Sequence, residues 1–180
     1  MYGGMMHDFN ESLNKSHAAS DHPMWLHCYK QFFPSLLACV DHRQDGEHQR
    51  AGIDRSIVME NSKQILIDEK VRYKDYGDIL LEYISVDRTG APGWVCKPLM
   101  CDYIAYAILP RGKAYLLPVI PLQRAWLADG NKWISQYGTR PAQNNGYKTL
   151  NCPVPFVPLF KAMQGAQIAN FEPIHKEQAA

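Results

Sequence analysis

The chain has 180 residues, enough to bury one substantial hydrophobic core but short for two independent domains. Hydrophobic residues make up 46% of it and charged residues 21%, which excludes wholesale disorder and a coiled coil. The formal net charge of +1 is too small to mark the whole surface as a nucleic-acid binder. Any contact with DNA must therefore come from a local basic patch.

The cysteines and the apolar runs exclude two further classes of protein. Five cysteines, an odd number without a C-x-x-C pair, argue against a disulfide framework, so we expect reduced thiols. The alternative is a zinc site that uses His27, Cys28, Cys96 and Cys101. The spacing of the last two cysteines is not one of the usual zinc-ligand pairings. Neither a signal peptide nor an apolar run of the ~20 residues that a membrane span needs is present. The expectation is a cytoplasmic protein without a membrane contact.

The N-terminal part predicts an arm, a helix and a loop. Residues 1–20 are polar and aperiodic, which is typical of a flexible N-terminal arm. A helix of about three turns follows, which Ser20 or Asp21 can cap and which ends at Pro34. The polar stretch from 41 to 49 is predicted to be a loop.

The middle of the chain predicts strands. Segments 52–59, 64–72 and 78–86 are rich in β-branched and aliphatic residues and follow one another closely. Such spacing favours an antiparallel meander of three strands. Residues 87–93 are dense in turn formers and are predicted to be a loop.

The C-terminal part predicts a hairpin, two helices and a further strand. In chain order these elements are strands at 103–109 and 114–119, a helix at 121–137 that Gly130 weakens, a polar loop at 139–146, a strand at 147–154 and a short helix at 159–163. The whole is predicted to be one domain from 21 to 165, followed by a frayed tail from 166 to 180.

The strand at 64–72 contains the residues that point to chemistry. Its alternation places Asp68 and Lys70 on one face and Glu69 on the other. A hairpin turn with an odd number of residues brings Asp54 beside Asp68, whereas an even turn would bring Glu69 there. Asp54, Asp68 and Lys70 would suit metal-assisted phosphodiester hydrolysis, because carboxylates hold Mg²⁺ or Mn²⁺ and the ammonium can orient the attacking water. The simpler alternative is that Lys70 pairs with an acid on a solvated strand face.

This pattern resembles the PD-(D/E)XK nuclease superfamily, in which an acid on one strand precedes an acid-x-Lys motif on the next. Here these are Asp54 and the triplet Asp68-Glu69-Lys70, while Gly52-Ile53 stands in place of the proline. The segments QRAGIDR, IDEKVRYKDYGDILLEYIS, PGWVCKPLMCDYIAYAILP and AYLLPV also resemble a family of uncharacterised phage and prophage proteins, over about residues 40–127. The resemblance implies an α+β fold with a restriction-endonuclease-like core, a central mixed β-sheet flanked by helices. It also implies a divalent metal on Asp54 and Asp68, with Lys70 as the catalytic lysine.

Several further site residues stay open at this point. The superfamily often adds an acid from a preceding helix, and the candidates for an additional site residue are Asp41, Asp45, Glu47, Gln49, Glu69 and Glu82. The candidate contacts to nucleic acid are Arg72, Lys74 and Lys97 for phosphates and Trp94 for base stacking. His42 and His48 belong to a group of histidines before the first predicted strand, but they fit no metal-ligand spacing on a predicted helix.

These observations together predict a Mg²⁺-dependent deoxyribonuclease, an endonuclease that acts in phage replication, recombination or defence. A phage-encoded enzyme of this kind would act in the cytoplasm of its bacterial host. A homodimer would allow two strands to be cut, and a protein partner could bring the DNA. The alternative function is a non-catalytic member of the same fold that binds DNA or inhibits a host protein. A third hypothesis is a zinc-stabilised interaction module.

Overall fold

Two β-sheets and four helices build the computed structural model, which describes residues 22–175 apart from the side chains of residues 49 and 50. The helices are α1 (Met24–Phe32), α2 (Gly46–Arg50), α3 (Val119–Tyr137) and α4 (Phe156–Ala162), with a 3-10 turn at Leu109–Arg111. The strands are β1 (Leu36–Asp41), β2 (Arg55–Met59), β3 (Gln64–Arg72), β4 (Asp78–Val86), β5 (Ala91–Pro92), β6 (Tyr103–Ile108), β7 (Lys113–Pro118), β8 (Arg140–Gln143), β9 (Lys148–Pro155) and β10 (Gln167–Asn170).

The larger sheet is mixed. Its strand order is β1-β2-β3-β6-β7-β10, and β3 and β6 run parallel while the other neighbours are antiparallel. The smaller sheet, β5-β4-β9-β8, is antiparallel throughout. The prediction of an α+β fold with a central mixed sheet is therefore confirmed.

Apolar side chains cover both faces of the larger sheet. On one face, α1 packs Trp25 and Tyr29 against Ile65 and Ile67 of β3, all of them buried. On the other face, a second cluster of buried side chains joins β6 and β7 to α3 and the smaller sheet. Because alternate residues of a strand point to opposite faces, β3 contributes to both layers.

Several elements differ from the sequence-based prediction. The meander of the larger sheet is β1-β2-β3 rather than segments 52–59, 64–72 and 78–86. Gly77, with φ of +76°, turns the chain out of the larger sheet after β3. The strand β4 then pairs with β9, where Ile79 and Leu81 are fully buried. Burial in a second layer thus outweighs pairing with the preceding strand.

The predicted loops and tail also contain regular structure. The helix α2 lies within the predicted loop 41–49, β5 lies within 87–93, and β8 lies within 139–146. The strand β10 lies within the predicted frayed tail and pairs with β7, where Ala169 is fully buried. The N-terminal arm and the caps Ser20 and Asp21 lie outside the described residues, and Pro23 occupies the N-cap position of α1.

The remaining predictions agree closely with the elements observed. The hairpin β6-β7, the long helix α3, the strand β9 and the short helix α4 all occur where the sequence places them, with small shifts of their ends. Among residues 22–175, no helix is long and apolar enough to cross a membrane.

Candidate functional site

The β2-β3 hairpin brings Asp54 next to Asp68. Its register pairs Arg55 with Ile67 and Val58 with Gln64, so that an odd-numbered turn, residues 59–63, joins the strands. Asp54 directly precedes β2, and its Oδ2 accepts a 2.7 Å hydrogen bond from the backbone N–H of Glu69. The sequence predicts that Asp54 faces Asp68 if the turn has an odd number of residues. The observed register has such a turn.

Lys70 is the cation of this pair of acids. Its Nζ donates to Asp68 Oδ1 at 2.5 Å, and Asp68 is only 5% exposed. Burial raises the pKa of Asp68 to about 6, an effect that Lys70 opposes and the nearby Asp54 carboxylate increases. Burial alone would lower the pKa of Lys70, but Asp68 and Asp54 hold it above its usual value. Asp68 contacts the ammonium and Asp54 lies close enough to both groups to act on their pKa values, so the group has room for a further positive charge.

Glu69 points to the opposite face of the sheet from Asp68 and does not join Asp54 and Asp68. Its Oε1 accepts hydrogen bonds from the Tyr29 hydroxyl at 2.7 Å and from Arg55 Nε at 2.5 Å. Burial raises the pKa of Glu69 to about 7, although Arg55 and Tyr29 oppose the shift. The role of Glu69 is to join β2 and β3 to helix α1, which corrects its place among the additional candidates.

Glu82 faces the site from the smaller sheet. Burial raises its pKa, while the ammonium groups of Lys70 and Lys97 act in the opposite direction. The loop residue Gly93 donates its N–H to the backbone oxygen of Tyr83, and a Cβ at this position would collide with the backbone of Glu82. This close approach of loop and strand needs glycine, and it brings Lys97 near Glu82.

The other acidic candidates have different surroundings. The Arg43 side chain donates to Asp41 and lowers the pKa of that carboxyl to about 2. Asp41 pairs in register with Arg55, on the same face of the sheet as Glu69. Glu47 is exposed in the first turn of α2, and the Gln49 side chain lies outside the described part of the chain. Neither Asp41 nor Glu47 joins Asp54 and Asp68.

A cluster that the sequence does not predict lies beside Asp54. His42, Asp45 and His48 each offer a ligand atom, and the three atoms lie within 4.8 Å of one another. The two imidazole rings stack at 4.0 Å between centroids, and the backbone N–H of His42 donates to the Asp54 oxygen at 2.9 Å. Burial and the charge of His48 lower the pKa of His42, against the effect of Asp45.

This cluster depends on a contact that residue spacing does not reveal. His42 follows β1 and His48 lies in α2, so no single helix carries both rings. The unusual number of histidines before the first predicted strand was the only signal in the sequence. The number of histidines could have predicted the cluster only if the β1-β2 register had also been known. That register places His42 opposite Asp54.

The candidate contacts to nucleic acid divide into two groups. Trp94 is 8% exposed and packs in the core, and Arg72 donates to the Asp78 carboxylate and to its backbone oxygen. Neither side chain is free to meet a base or a phosphate, which corrects both predictions. Lys74 and Lys97 are exposed and remain available for contacts to phosphates.

The cysteines do not build the alternative zinc site. All five are free, and burial raises the pKa of Cys28 and of Cys101 to about 12, which disfavours the thiolate that metals bind. Within residues 22–175, no metal-competent group of three ligands includes a cysteine. The combination of His27, Cys28, Cys96 and Cys101 is therefore not brought together.

A cavity of about 910 Å³ lies away from these residues, between the start of α1 and residues 170–174. Asp54, Asp68 and Lys70 are not among the residues that line it. Scans of the chain against protein-family models, curated proteins and solved structures find no match. The likeness to the PD-(D/E)XK superfamily consequently stays a prediction that rests on the residues and their geometry.

Proposed function

We propose that the protein is a deoxyribonuclease that uses Mg²⁺ or Mn²⁺, with Asp54 and Asp68 as metal ligands and Lys70 beside the attacking water. The observation that carries this proposal is the convergence of the three side chains at the end of the β2-β3 hairpin. Lys70 contacts Asp68 there, Asp54 lies close enough to raise the pKa values of both, and the Asp68 carboxylate is buried. A buried excess of negative charge is costly unless a cation compensates it.

The donor set fits the proposed ion. Carboxylate oxygens are hard ligands, and Mg²⁺ is commonly held by one or two carboxylates while it retains several waters. When bound, such an ion would acidify a water and neutralise charge on the phosphate. The Lys70 ammonium, held by Asp68, can orient that water or donate a hydrogen bond to a phosphate oxygen. Glu82 is a third carboxylate close to Lys70 and can hold a second water.

The arrangement of elements supports a restriction-endonuclease-like core. A helix, α1, precedes the antiparallel meander β1-β2-β3, and Asp54 lies immediately before its second strand while Asp68 lies on its third, close to the superfamily pattern. The strand β6 then runs parallel to β3. The resemblance implies the core order α-β-β-β-α-β, and the departure from it is that β4 and β5, rather than a helix, lie between β3 and β6.

An exposed cation beside the acids favours a polyanionic substrate such as DNA. Lys97 is exposed and is close enough to Glu82 to act on its pKa, as Lys70 also does. A phosphate backbone could therefore pass over the site while it contacts Lys97. With a net charge of only +1, affinity for DNA depends on such local contacts.

A cleavage assay tests the proposal. The purified protein is incubated with linear, circular and branched DNA in Mg²⁺ or Mn²⁺, beside a sample with EDTA. We expect metal-dependent cleavage that falls by about 100-fold or more in Asp68→Asn and in Lys70→Ala. The matched controls are Asp129→Asn on α3 and Lys30→Ala on α1, which should cleave like the wild type.

The proposal is wrong if cleavage persists in both site variants. It also fails if no DNA is cut in either metal while the protein still binds DNA in EDTA. The second result would favour a non-catalytic DNA-binding protein, for which neither metal nor Lys70 matters.

A further inference from the structure

The residues His42, Asp45 and His48 lie together beside the proposed nuclease site but belong to none of its roles. We propose that they form a second metal site, selective for a transition-metal ion of the Zn²⁺ class. The inference does not rest on the proposed nuclease function, because the cluster is defined by its own contacts.

The ligand atoms are already close to the spacing that a bound ion needs. All three lie within 4.8 Å of one another, and His48 Nδ1 is 2.8 Å from Asp45 Oδ2. Ligands at 2.0–2.1 Å from a tetrahedral zinc ion are about 3.3 Å apart. The largest separation thus exceeds this value by about 1.5 Å at most, a difference that side-chain rotation can remove.

The kind of donor separates this site from the pair of aspartates. Two imidazoles and one carboxylate favour zinc, iron, nickel or copper, whereas oxygen-only ligands favour Mg²⁺ and Mn²⁺. Asp45 is exposed and both histidines are half-buried, so an ion can enter from solvent and keep water in its remaining coordination positions.

The surroundings hold His42 and Asp45 in place. The fully buried Ser56 hydroxyl lies 2.6 Å from His42 Nε2 and fixes the orientation of that ring. The Glu47 backbone N–H donates to Asp45 Oδ1 at 2.9 Å. Outer contacts of this kind are what metal-binding histidines and carboxylates normally have.

The site also connects to Asp54 through the backbone. His42 N–H donates to the Asp54 oxygen and Ile53 N–H donates to the His48 oxygen, each at 2.9 Å. An ion bound to His42 and His48 would clamp the segment between them against the residue that precedes β2. The expected effect is a more stable segment 42–54 and a better fixed Asp54.

The competing explanation is that Asp45 only caps α2 and pairs with His48. The protein, stripped of metal by EDTA and dialysed, is titrated with Co²⁺ and with Zn²⁺ and followed by visible absorption and calorimetry. We expect one equivalent to be lost, or its affinity to fall by more than about 10-fold, in His48→Gln and in Asp45→Asn. Asparagine retains the capping ability of Asp45, so the second variant keeps the helix.

Two controls make the result specific. His27→Ala removes an exposed histidine on α1 and should leave binding unchanged. The double variant Asp54→Asn/Asp68→Asn should keep the Zn²⁺-class site, so failure of the nuclease proposal would not affect this readout. Equal binding by the wild type, His48→Gln and Asp45→Asn, or no binding by a folded wild type, would overturn the inference.

Discussion

At the scale of single residues, neighbours on β3 have opposite tasks. Asp68 and Glu69 are both buried acids with raised pKa values, yet their side chains lie on different faces of one sheet. Glu69 Oε1 accepts hydrogen bonds from Tyr29 and Arg55, and these contacts join the layers of the fold. Asp68 contacts Lys70 and has Asp54 nearby, so added positive charge would stabilise its ionised form. Glu69 is therefore a structural residue, and Asp68 is a candidate ligand.

The raised pKa of Asp68 predicts how stability depends on pH in metal-free protein. Its folded pKa of about 6 exceeds the ordinary value of 3.8, so the folded state keeps a proton that the unfolded state releases. Stability should therefore fall as the pH rises from about 4 to 6. Glu69 acts with the same sign up to about pH 7. Denaturant unfolding between pH 4.5 and 8 should show a smaller fall in Asp68→Asn than in the wild type.

The variant Asp68→Asn also tests whether Asp54 and Asp68 carry an excess of negative charge. Adding Mg²⁺ at pH 8 should stabilise the wild type, because an ion that binds only the folded state raises its unfolding free energy. Asp68→Asn should lose that effect, whereas the control Asp129→Asn should keep both the pH profile and the Mg²⁺ response. Identical pH profiles for Asp68→Asn and the wild type would contradict the assignment of the raised pKa.

The Tyr29 hydroxyl makes a separate prediction about the Glu69 contact. Tyr29 is fully buried, and loss of its hydroxyl removes one of the hydrogen-bond donors to Glu69 Oε1. We expect Tyr29→Phe to lower the unfolding free energy by about 1–3 kcal/mol. Tyr76→Phe removes a hydroxyl from a ring that is 53% exposed and should change stability little. Thermal or urea unfolding measures both, and equal effects would show that the buried hydrogen bond contributes nothing.

At the scale of elements, sequence patterns correctly predict the helices and hairpins whose contacts join residues close in sequence. The β2-β3 hairpin, the β6-β7 hairpin and α3 join residues that are close in sequence, and their patterns predicted them. The placement of β4 failed because its partner β9 lies about seventy residues further on. The strand β1 was missed since four of its six residues are exposed, which gives it no clear alternation.

The candidate site follows the same division. Asp54, Asp68 and Lys70 converge through one hairpin, so the sequence could place them together. The approach of Glu82 needs the second sheet, and the His42–His48 contact needs both β1 and the entry into β2. Such contacts between distant segments are decided by burial and pairing energies that no local pattern contains.

Gly130 in the middle of α3 shows how an element can overrule helix propensity. Its low helix propensity weakens the prediction of α3. In the structure, a Cβ at this position would lie 2.9 Å from the Trp126 ring. That ring packs against Tyr83 and Trp133. Gly130→Ala gains about 1 kcal/mol of helix propensity and meets an overpacking cost of about 1–3 kcal/mol. We expect a net loss of stability.

A substitution on the outer side of the same helix provides the comparison. Leu127 is 84% exposed, so Leu127→Ala should change the unfolding free energy by less than about 0.5 kcal/mol. A stabilising Gly130→Ala in chemical denaturation would mean that the Trp126 ring moves without cost and that packing does not select this glycine.

At the scale of the whole molecule, the candidate site lies where the two sheets approach each other. The larger sheet supplies Asp54, Asp68 and Lys70, and the smaller sheet with its loop supplies Glu82 and Lys97. The overall charge of +1 gives no general attraction to a polyanion. Under the proposed function, affinity for DNA would then depend on the few exposed ammonium groups near the acids, which makes the effect of each one measurable.

Lys97 provides the test of this argument. Under EDTA, where no cleavage occurs, DNA binding is measured between about 50 and 200 mM salt, the range over which phosphate contacts dominate. We expect Lys97→Ala to weaken binding and to reduce the slope of log affinity against log salt by about 0.9, the value for one phosphate contact to duplex DNA. Lys30→Ala removes the same charge from α1, which covers the opposite face of the larger sheet. If both variants change the slope equally, DNA does not bind over the two aspartates; if only Lys97→Ala does, the phosphate backbone lies beside Glu82.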